Sequence, residues 1–308
     1  PNHFFSSRFP YSMGDWGGSP FAPYTTPAEK ATAAGMGKLA ATSSSSFCLA
    51  LGDNFYTTGV KSVNDPRFLH TFENVFTADS LQAPNFSFKV IAGNHDHKGN
   101  VTAQIDYSGV SERWDFPSLY YTFTEGDVQF VMIDTVVLSG NSDLEDGSEL
   151  RGIDLPGPMV EEEAQTQLEW IESTLAASTA KYIIVAGHYP IYSICEHGPT
   201  PSLISQLKPM LVQHNVSAYM NGHDHCAQFI DVNDGVQYHT IGSAHLNDPS
   251  TAHEKTLERS EIKFHTGSGK GGFATVEMTG KGMVVVHRDG DGNVLYTSPA
   301  VAARGGGD

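Results

Sequence analysis

Gly52-Asp53-Asn54-Phe55-Tyr56 directly follows the apolar run Phe47-Cys48-Leu49-Ala50-Leu51. The run has the length and composition of a buried β-strand. A strand that ends in Gly-Asp places a carboxylate at its carboxyl end, where ligands collect in sheet proteins because loops fan out from rigid strands. Tyr56 follows closely enough to face the same point as Asp53. We interpret the stretch as part of a two-metal site in which Asp53 bridges both ions and Tyr56 binds one.

Four further strand-like segments also stop at a short group of ligand-type residues led by glycine. They end at Gly14-Asp15, Gly93-Asn94-His95, Gly187-His188 and Gly222-His223-Asp224-His225. Turns use glycine and aspartate in any case, but chance rarely produces so many such endings in one chain. The sequence therefore predicts that these side chains meet at one site.

The spacing within these groups fits a metal pair. His223 and His225 lie two residues apart, so on an extended segment both point the same way, roughly 6–7 Å apart. Each imidazole can then reach a different member of a pair of ions about 3.5–4 Å apart. Asn94 and His95 are adjacent and face different directions, so one can bind metal while the other faces substrate. We expect Asp96 to orient a neighbouring imidazole.

The ligand types restrict the metals. Carboxylate and phenolate oxygens form a hard, anionic set that suits a trivalent ion, whereas asparagine with two imidazoles suits a borderline divalent ion. Asp15, Asp53, Tyr56 and one hydroxide leave such a pair with roughly one net positive charge, which attracts a phosphate dianion and stabilises the charge of phosphoryl transfer.

The order of predicted elements indicates the fold class. The chain reads β-α-β-α-β, then hairpins, then β-α-β, then hairpins, which is typical of an α/β fold with two packed β-sheets flanked by helices. Residues 1–308 show no linker, so we expect one catalytic domain with a flexible tail at 305–308. The segment 139–163 is strongly acidic and is interpreted as an exposed excursion that leads into a helix.

Four helices are predicted from local signals. The capping-box pattern at Thr26-Pro27-Ala28-Glu29 begins a helix to about Ala41. Asp65-Pro66 begins a second helix with Phe68, Leu69, Phe72 and Phe76 at helical spacing. The others run from Glu161 to about Ala177 and from Thr200-Pro201, where Pro209 should kink the helix.

Composition and charge exclude some classes of function. The net charge of the 308 residues is −17, which argues against binding a nucleic-acid backbone. No apolar run approaches the ~18 residues of a membrane span. An anionic substrate remains compatible, because a metal pair dominates its neighbourhood and charges beyond roughly 8 Å are screened. Cys48, Cys195 and Cys226 are an odd count without a CxxC, which excludes a dense disulfide framework and a zinc ribbon.

Two features concern the compartment. The sequence starts at Pro1 without a leader, so we expect that a leader was removed or that the sequence begins at the mature end. Sequons at Asn85, Asn100 and Asn215 permit glycosylation of a secreted protein. We therefore expect a secreted protein, or one in the lumen of an acidic compartment.

The five groups, in this order, resemble the signature blocks of the purple acid phosphatases. The similarity is to the small, mammalian-type (tartrate-resistant) branch and extends from about Phe9 to Val286. It includes Glu196-His197-Gly198-Pro199-Thr200 and Gly271-Gly272-Phe273-Ala274. Tyr56 separates this branch from metallophosphoesterases with two divalent metals.

The resemblance implies two facing mixed sheets with outer helices and a dinuclear centre. It implies that Fe(III) is bound by Asp15, Asp53, Tyr56 and His225. It implies that a second ion, Fe(II), Zn(II) or Mn(II), is bound by Asp53, Asn94, His188 and His223. It also implies that His95, Glu196 and His197 contact phosphate and help the leaving group, although a plain polar loop remains the alternative for the last two.

The chain departs from that branch at two places. Ser202 stands where mammalian-type members carry one half of a disulfide, so we expect Cys48, Cys195 and Cys226 to be free, buried thiols. The acidic excursion falls where the branch has a loop that limits substrate access. Its sequence differs, so a solvated loop is favoured over control of activity.

Three functions compete. The first is a monomeric acid phosphatase in which a metal-bound hydroxide attacks small phosphomonoesters or phosphoproteins. The second is a non-catalytic scaffold or receptor on the same fold, which would be expected to lack one or more of the seven ligands, all present here. The third, a phosphodiesterase of the wider metallophosphoesterase group, is disfavoured by Tyr56.

Overall fold

The computed structural model describes residues 10–43, 45–141 and 158–305. In these ranges the strands form two seven-stranded sheets. The first sheet contains β1 (Tyr11–Met13), β2 (Phe47–Leu51), β3 (Ser87–Ile91), β4 (Trp114–Asp115), β12 (Gly272–Thr279), β13 (Gly282–Asp289) and β14 (Val294–Thr297). The second contains β5 (Tyr121–Glu125), β6 (Val128–Met132), β7 (Tyr182–Ala186), β8 (Ala218–Asn221), β9 (Ala227–Ile230), β10 (Gln237–Ile241) and β11 (Ile262–Thr266).

Six α-helices accompany the sheets in the described residues. They are α1 (Pro27–Ala40), α2 (Asn94–His97), α3 (Val101–Asp106), α4 (Thr135–Ser139), α5 (Glu161–Ala176) and α6 (Lys208–Gln213).

Each sheet has a parallel centre. In the first sheet, β1 to β4 pair in parallel in chain order. In the second sheet, β6, β7, β8 and β10 do the same. Antiparallel hairpins complete both sheets. Since parallel strands run in one direction, the residues that follow β1, β2, β3, β7 and β8 collect at shared edges of the two sheets.

Three layers of apolar side chains hold the sheets and helices together. A central cluster joins the sheets, with Leu49 and Leu51 from β2 and Phe130 and Met132 from β6. A second cluster packs α1 and many aromatic rings on the first sheet. A third packs α5 and α6 on the second sheet. The predicted α/β sandwich of two sheets flanked by helices is confirmed.

The helices agree with the sequence where caps define them. The Thr26 hydroxyl accepts from the Glu29 amide at 3.1 Å, and the Glu29 carboxylate accepts from the Thr26 amide at 3.1 Å, so the capping box of α1 is confirmed. Helix α5 begins at Glu161 as predicted and ends at Ala176.

The other two predicted helices contain wider, π-type turns. These turns span Phe68–Glu73 and Leu203–Leu207. Leu69 is 50% exposed, so its predicted place on the buried face is wrong. The second π-type turn ends directly before Lys208 and Pro209, where α6 begins. The helix type therefore changes next to Pro209, the position at which the sequence predicts a kink.

Parts of three predictions lie outside the described residues. They are the start of the first strand at Arg8 and Phe9, most of the acidic excursion, and the tail from residue 306.

Candidate metal centre

Three predicted ligands occupy an uncommon backbone conformation. Asp15, Asp53 and His223 have φ angles of 56°, 52° and 69°. Only a few per cent of non-glycine residues adopt positive φ, and such residues concentrate at functional sites because the surrounding structure must hold them there. The strand ends therefore turn sharply, and all three side chains point into one buried volume.

The glycines before these groups permit the close approach. A Cβ atom on Gly93 would lie 2.2 Å from Asp53 Oδ1, and one on Gly222 would lie 2.4 Å from Asp15 Oδ2. Both distances are shorter than real contacts, so neither position accepts a larger residue. The glycine-led strand ends in the sequence thus have a steric cause.

One group of ligand atoms surrounds the Tyr56 hydroxyl. Its oxygen lies 2.9 Å from Asp15 Oδ1 and 2.9 Å from His225 Nε2. His225 Nε2 and Asp15 Oδ1 are 3.5 Å apart. This is the set that the resemblance assigns to Fe(III).

A second group surrounds the side-chain oxygen of Asn94. His188 Nε2 lies 2.9 Å from Asn94 Oδ1, and His223 Nδ1 lies 3.1 Å from it. Asp53 Oδ1 is 3.4 Å from His188 Nε2. The ligand atoms of Asp15, Asp53 and His188 all lie within 4.8 Å of one another. Asp53 therefore lies between the two groups, as expected of a bridging ligand.

The spacing of these atoms fits cations. Ligand atoms about 2.0–2.2 Å from a metal ion lie roughly 3.0–3.5 Å from each other in tetrahedral or octahedral coordination. His188 Nδ1 lies 2.8 Å from the Leu51 carbonyl, to which it must donate. Nε2 therefore faces the side-chain oxygen of Asn94, and either a proton on Nε2 or a bound cation supplies the positive charge between them.

The pKa values of the cluster also indicate that positive charge is required beside these carboxylates. Burial disfavours the charged form of His188, but Asp53, Asp15 and the Leu51 carbonyl together outweigh burial and raise the pKa of His188 to about 10. Burial opposes the charge of Asp53 as well, yet His188 and His95 hold its pKa well below the usual value. Burial, together with Asp15 and Asp53, raises the pKa of Tyr56 well above 10. A cation is what would favour the phenolate in this place.

His95 lies beside the ligands rather than among them. Its backbone amide donates to Asp53 Oδ1 at 3.0 Å, and its Nδ1 lies 2.6 Å from the Thr57 carbonyl. Nε2 lies 3.8 Å from Asp53 Oδ2. The side chains of Asn94 and His95 thus face different directions, as predicted. Their roles in binding metal and substrate remain predictions.

Glu196 and His197 lie on a loop against the second ligand group. The His197 ring stacks on the His223 ring with centroids 4.3 Å apart. A hydrogen bond from Glu196 is the largest cause that lowers the pKa of Asp248. The Asp248 amide in turn donates to the His225 carbonyl at 2.7 Å. The structure brings all ten predicted site residues into one region.

Two predictions about neighbouring residues are wrong. Cys195 and Cys226 form a disulfide, and Cys48 is the free, buried thiol. The loops after β7 and β8 bring the two cysteines together, which the sequence separation of 31 does not reveal. Asp96 accepts from the amides of Asn54 and Gly93 and from Gln104, so it braces the backbone instead of orienting an imidazole.

His245 was missed by the sequence analysis. Its ring stacks on the Tyr56 ring at 4.1 Å and meets the His225 ring edge-on at 5.2 Å. Both ring nitrogens are buried without a hydrogen-bond partner. The signal was present, because β10 also ends in a glycine followed by histidine, at Gly242-Ser243-Ala244-His245.

Two facing mixed sheets with Asp, Asn, His and Tyr ligands at the strand ends define a metal-dependent phosphoesterase. The family described as "Calcineurin-like phosphoesterase" matches residues 30–227, and the chain belongs to this family. Within it, the predicted membership of the mammalian-type purple acid phosphatases is confirmed by the relatives.

Two curated relatives and one solved structure illustrate the similarity. Tartrate-resistant acid phosphatase type 5 of Oryctolagus cuniculus is 44% identical over 92% of this chain and 88% of the relative. Purple acid phosphatase 4 of Arabidopsis thaliana is 32% identical over 92% and 80%. The structure described as "GAP50 the anchor in the inner membrane complex of Plasmodium" has a TM-score of 0.77 and 25% identity, covering 96% of this chain and 89% of that one.

Proposed function

We propose that this chain is an acid phosphatase that hydrolyses phosphate monoesters at a dinuclear centre of Fe(III) and a divalent ion, Fe(II), Zn(II) or Mn(II). The observation that carries the proposal is the Tyr56 hydroxyl, 2.9 Å from both Asp15 Oδ1 and His225 Nε2. A phenolate with a carboxylate is a hard, anionic set, which favours a trivalent ion over a second divalent one.

The residues divide into two sets of ligands. Asp15, Tyr56 and His225 would hold the trivalent ion, and Asp53 would serve both ions. Asn94, His188 and His223 would hold the divalent ion. When bound, such a pair supplies a nucleophilic water and offsets the charge of the phosphoryl oxygens.

His95 is oriented to contact the phosphoryl group. Its Nδ1 donates to the Thr57 carbonyl at 2.6 Å, which turns Nε2 towards the predicted metal site, 3.8 Å from Asp53 Oδ2. The backbone amide of His95 also fixes Asp53 through a hydrogen bond of 3.0 Å. His95 thus binds substrate and positions a ligand at once.

Glu196 supplies a proton for the leaving alcohol. The hydrogen bond between Glu196 and Asp248 is the largest cause that lowers the pKa of Asp248, so the two carboxyl groups lie side by side. A carboxylic acid kept protonated beside a carboxylate is suited to protonate a departing alkoxide. The His197 ring, stacked on His223, fixes the loop beside the phosphate.

A comparison of leaving groups tests this assignment. Nitrophenolate leaves without a proton, whereas an alkoxide needs one. Glu196→Gln should lower kcat for an alkyl phosphate by about 100-fold and for nitrophenyl phosphate by less than about tenfold. Glu254→Gln, at an exposed position nearby, is the matched control. Equal losses on both substrates, or none, would contradict the role of Glu196.

A non-catalytic anchor is the second candidate. It is favoured by the similarity to the Plasmodium protein that is described as an anchor. All seven predicted ligands are present, and the distances between their ligand atoms suit bound cations. Both observations favour the enzyme. If the purified protein contains no metal and hydrolyses no phosphomonoester, the result would favour the anchor.

We also propose that the protein is a glycoprotein that is secreted or lies in the lumen of an acidic compartment, and that it works as a monomer. Asn85, Asn100 and Asn215 of the three sequons are all exposed. In the described part of the chain, no helix combines the length and apolarity required to cross a membrane. The net charge of −17 disfavours nucleic acids and leaves small phosphomonoesters and phosphoproteins as substrates. A mass loss on treatment with an N-glycosidase would support this compartment, and an unchanged mass would speak against it.

A further inference from the structure

The loop of residues 193–198 and the turn of residues 223–226 meet at the metal centre. The loop carries Glu196 and His197, and the turn carries the ligands His223 and His225. The rings of His197 and His223 lie at an interplanar angle of 27°. The position of the loop therefore decides where Glu196 and His197 stand relative to the ligands.

Hydrogen bonds connect the loop and the turn through Asp224. The His197 amide donates to Asp224 Oδ1 at 2.8 Å, and the Ser193 hydroxyl donates to Asp224 Oδ2. Ser193 also accepts from Gln228 Nε2 at 2.6 Å and from the Cys195 amide at 3.0 Å. Ser193, Asp224 and Gln228 are fully buried. The contacts with Asp224 and Gln228 lead from the loop to the segment that holds two ligands, and the bond from the Cys195 amide fixes Ser193 within the loop.

The disulfide makes the same connection covalently. Cys195 directly precedes Glu196, and Cys226 directly follows His225. Both cysteines are buried, at 1% and 0% exposure. The Cys195 carbonyl accepts from His253 Nδ1 at 2.9 Å, and the Cys226 carbonyl accepts from the Gly242 amide at 3.1 Å. The bridge thus joins the direct neighbours of an acid and a ligand, and both of its ends are fixed.

We propose that the Cys195–Cys226 disulfide is a positioning element that holds Glu196 and His197 over the metal centre for catalysis. The inference rests on the proposed function, because it assigns the bridge to the same reaction. A displacement of about 1 Å of a catalytic group can cost up to about 100-fold in rate. A covalent bond between their direct neighbours limits the distance between Glu196 and His225.

The main experiment compares the holoenzyme with the double variant Cys195→Ser/Cys226→Ser at a temperature well below unfolding. We expect kcat for an alkyl phosphate to fall by about 10- to 100-fold and kcat for nitrophenyl phosphate to fall less. The metal content should stay the same, because none of the seven ligands changes. Cys48→Ala removes the third buried sulfur without touching the loop, and its kinetics should match those of the parent protein.

A merely stabilising cross-link predicts a different result. It would lower Tm and leave kcat, KM and the dependence on leaving group unchanged at low temperature, which would overturn the proposal. Failure of the proposed function is distinguishable, because the parent protein would then hydrolyse neither substrate.

A second variant tests the loop without altering sulfur. Ser193→Ala removes one of the two hydrogen bonds between the loop and Asp224, and we expect the same preferential loss on the alkyl phosphate. Ser298→Ala is the matched control, since Ser298 is a buried serine outside every sequon that accepts from the Val285 amide at 3.0 Å, after β14 ends. If both serine variants lose activity on the alkyl phosphate equally, the result would contradict a positioning role of the loop.

A third measurement applies if the double variant does not fold. The intact holoenzyme is treated with a dithiol, which becomes a cyclic disulfide as it converts the bridge to two thiols, and the thiols are alkylated. Mass spectrometry counts the opened fraction. Activity on the alkyl phosphate should fall in proportion to that fraction, and full activity with an open bridge would overturn the proposal.

Discussion

Replacing Tyr56 with phenylalanine removes one oxygen atom and keeps the ring. The ring contacts with His245 at 4.1 Å and His95 at 4.6 Å remain, so we expect the variant to fold. Because the phenolate is gone, the visible absorption from tyrosinate-to-iron charge transfer should disappear. Asn94, His188 and His223 are untouched, so the divalent ion should remain bound.

The structure also indicates how much the free energy of unfolding should fall in Tyr56→Phe. The Tyr56 hydroxyl donates to Asp15 Oδ1 at 2.9 Å in a buried place, and its loss removes a partner of a buried carboxylate. In metal-free protein this should cost about 1–3 kcal/mol. With about 2.1 cal/mol/K of unfolding entropy per residue, a chain of this length should lose about 2–5 °C in Tm.

Tyr11→Phe is the matched control. Tyr11 lies on β1, next to β2, the strand that precedes Tyr56. Its ring is buried, and its hydroxyl lies 2.9 Å from Ser43 Oγ. That variant should lose similar stability and keep its colour. Absorption spectra and metal analysis of both variants decide the matter, and colour that survives in Tyr56→Phe would refute the ligand assignment.

Three further outcomes are expected. Burial lowers the pKa of His287 to about 3 and that of His239 well below its usual value. The folded state therefore binds fewer protons than the unfolded state, so stability that is present above pH ~6.5 is lost as the pH falls. His287 alone should lower the free energy of unfolding by about 2 kcal/mol between pH 7 and 5. His287→Gln should flatten this loss in denaturant titrations, and an unchanged pH slope would contradict it. His245→Ala should shift the visible band without loss of iron, whereas His245→Phe should preserve it, because only the first removes the ring stacked on Tyr56; identical spectra would exclude a role for the stack. Removal of both metal ions should lower Tm by about 13 °C if each is present at a thousandfold excess over its Kd, and calorimetry of metal-free protein with an unchanged Tm would speak against ligation by buried groups.

The site could be predicted from the sequence because its cause is local. A sharp turn after a strand needs glycine where a Cβ atom would strike a ligand, as at Gly93 and Gly222. The same turn places the next polar side chain at the edge of the sheet. Each strand end therefore carries its own signal, and repetition of that signal in one chain identified the centre.

The remaining features depend on contacts between distant segments. The disulfide forms because the loops after β7 and β8 lie side by side, and three cysteines alone do not define a pair. His245 reaches Tyr56 because β10 pairs with β8, although its glycine-led strand end was visible. Hydrophobic spacing also does not distinguish α from π-type turns, so Leu69 was placed on the wrong face.

Metal analysis of the purified parent protein tests the central claim most directly. Elemental mass spectrometry with a visible spectrum should find one iron and one divalent ion, iron, zinc or manganese, per chain, together with the tyrosinate-to-iron band. Colourless, iron-free protein that still hydrolyses phosphomonoesters would contradict the assignment of Tyr56 and the trivalent site.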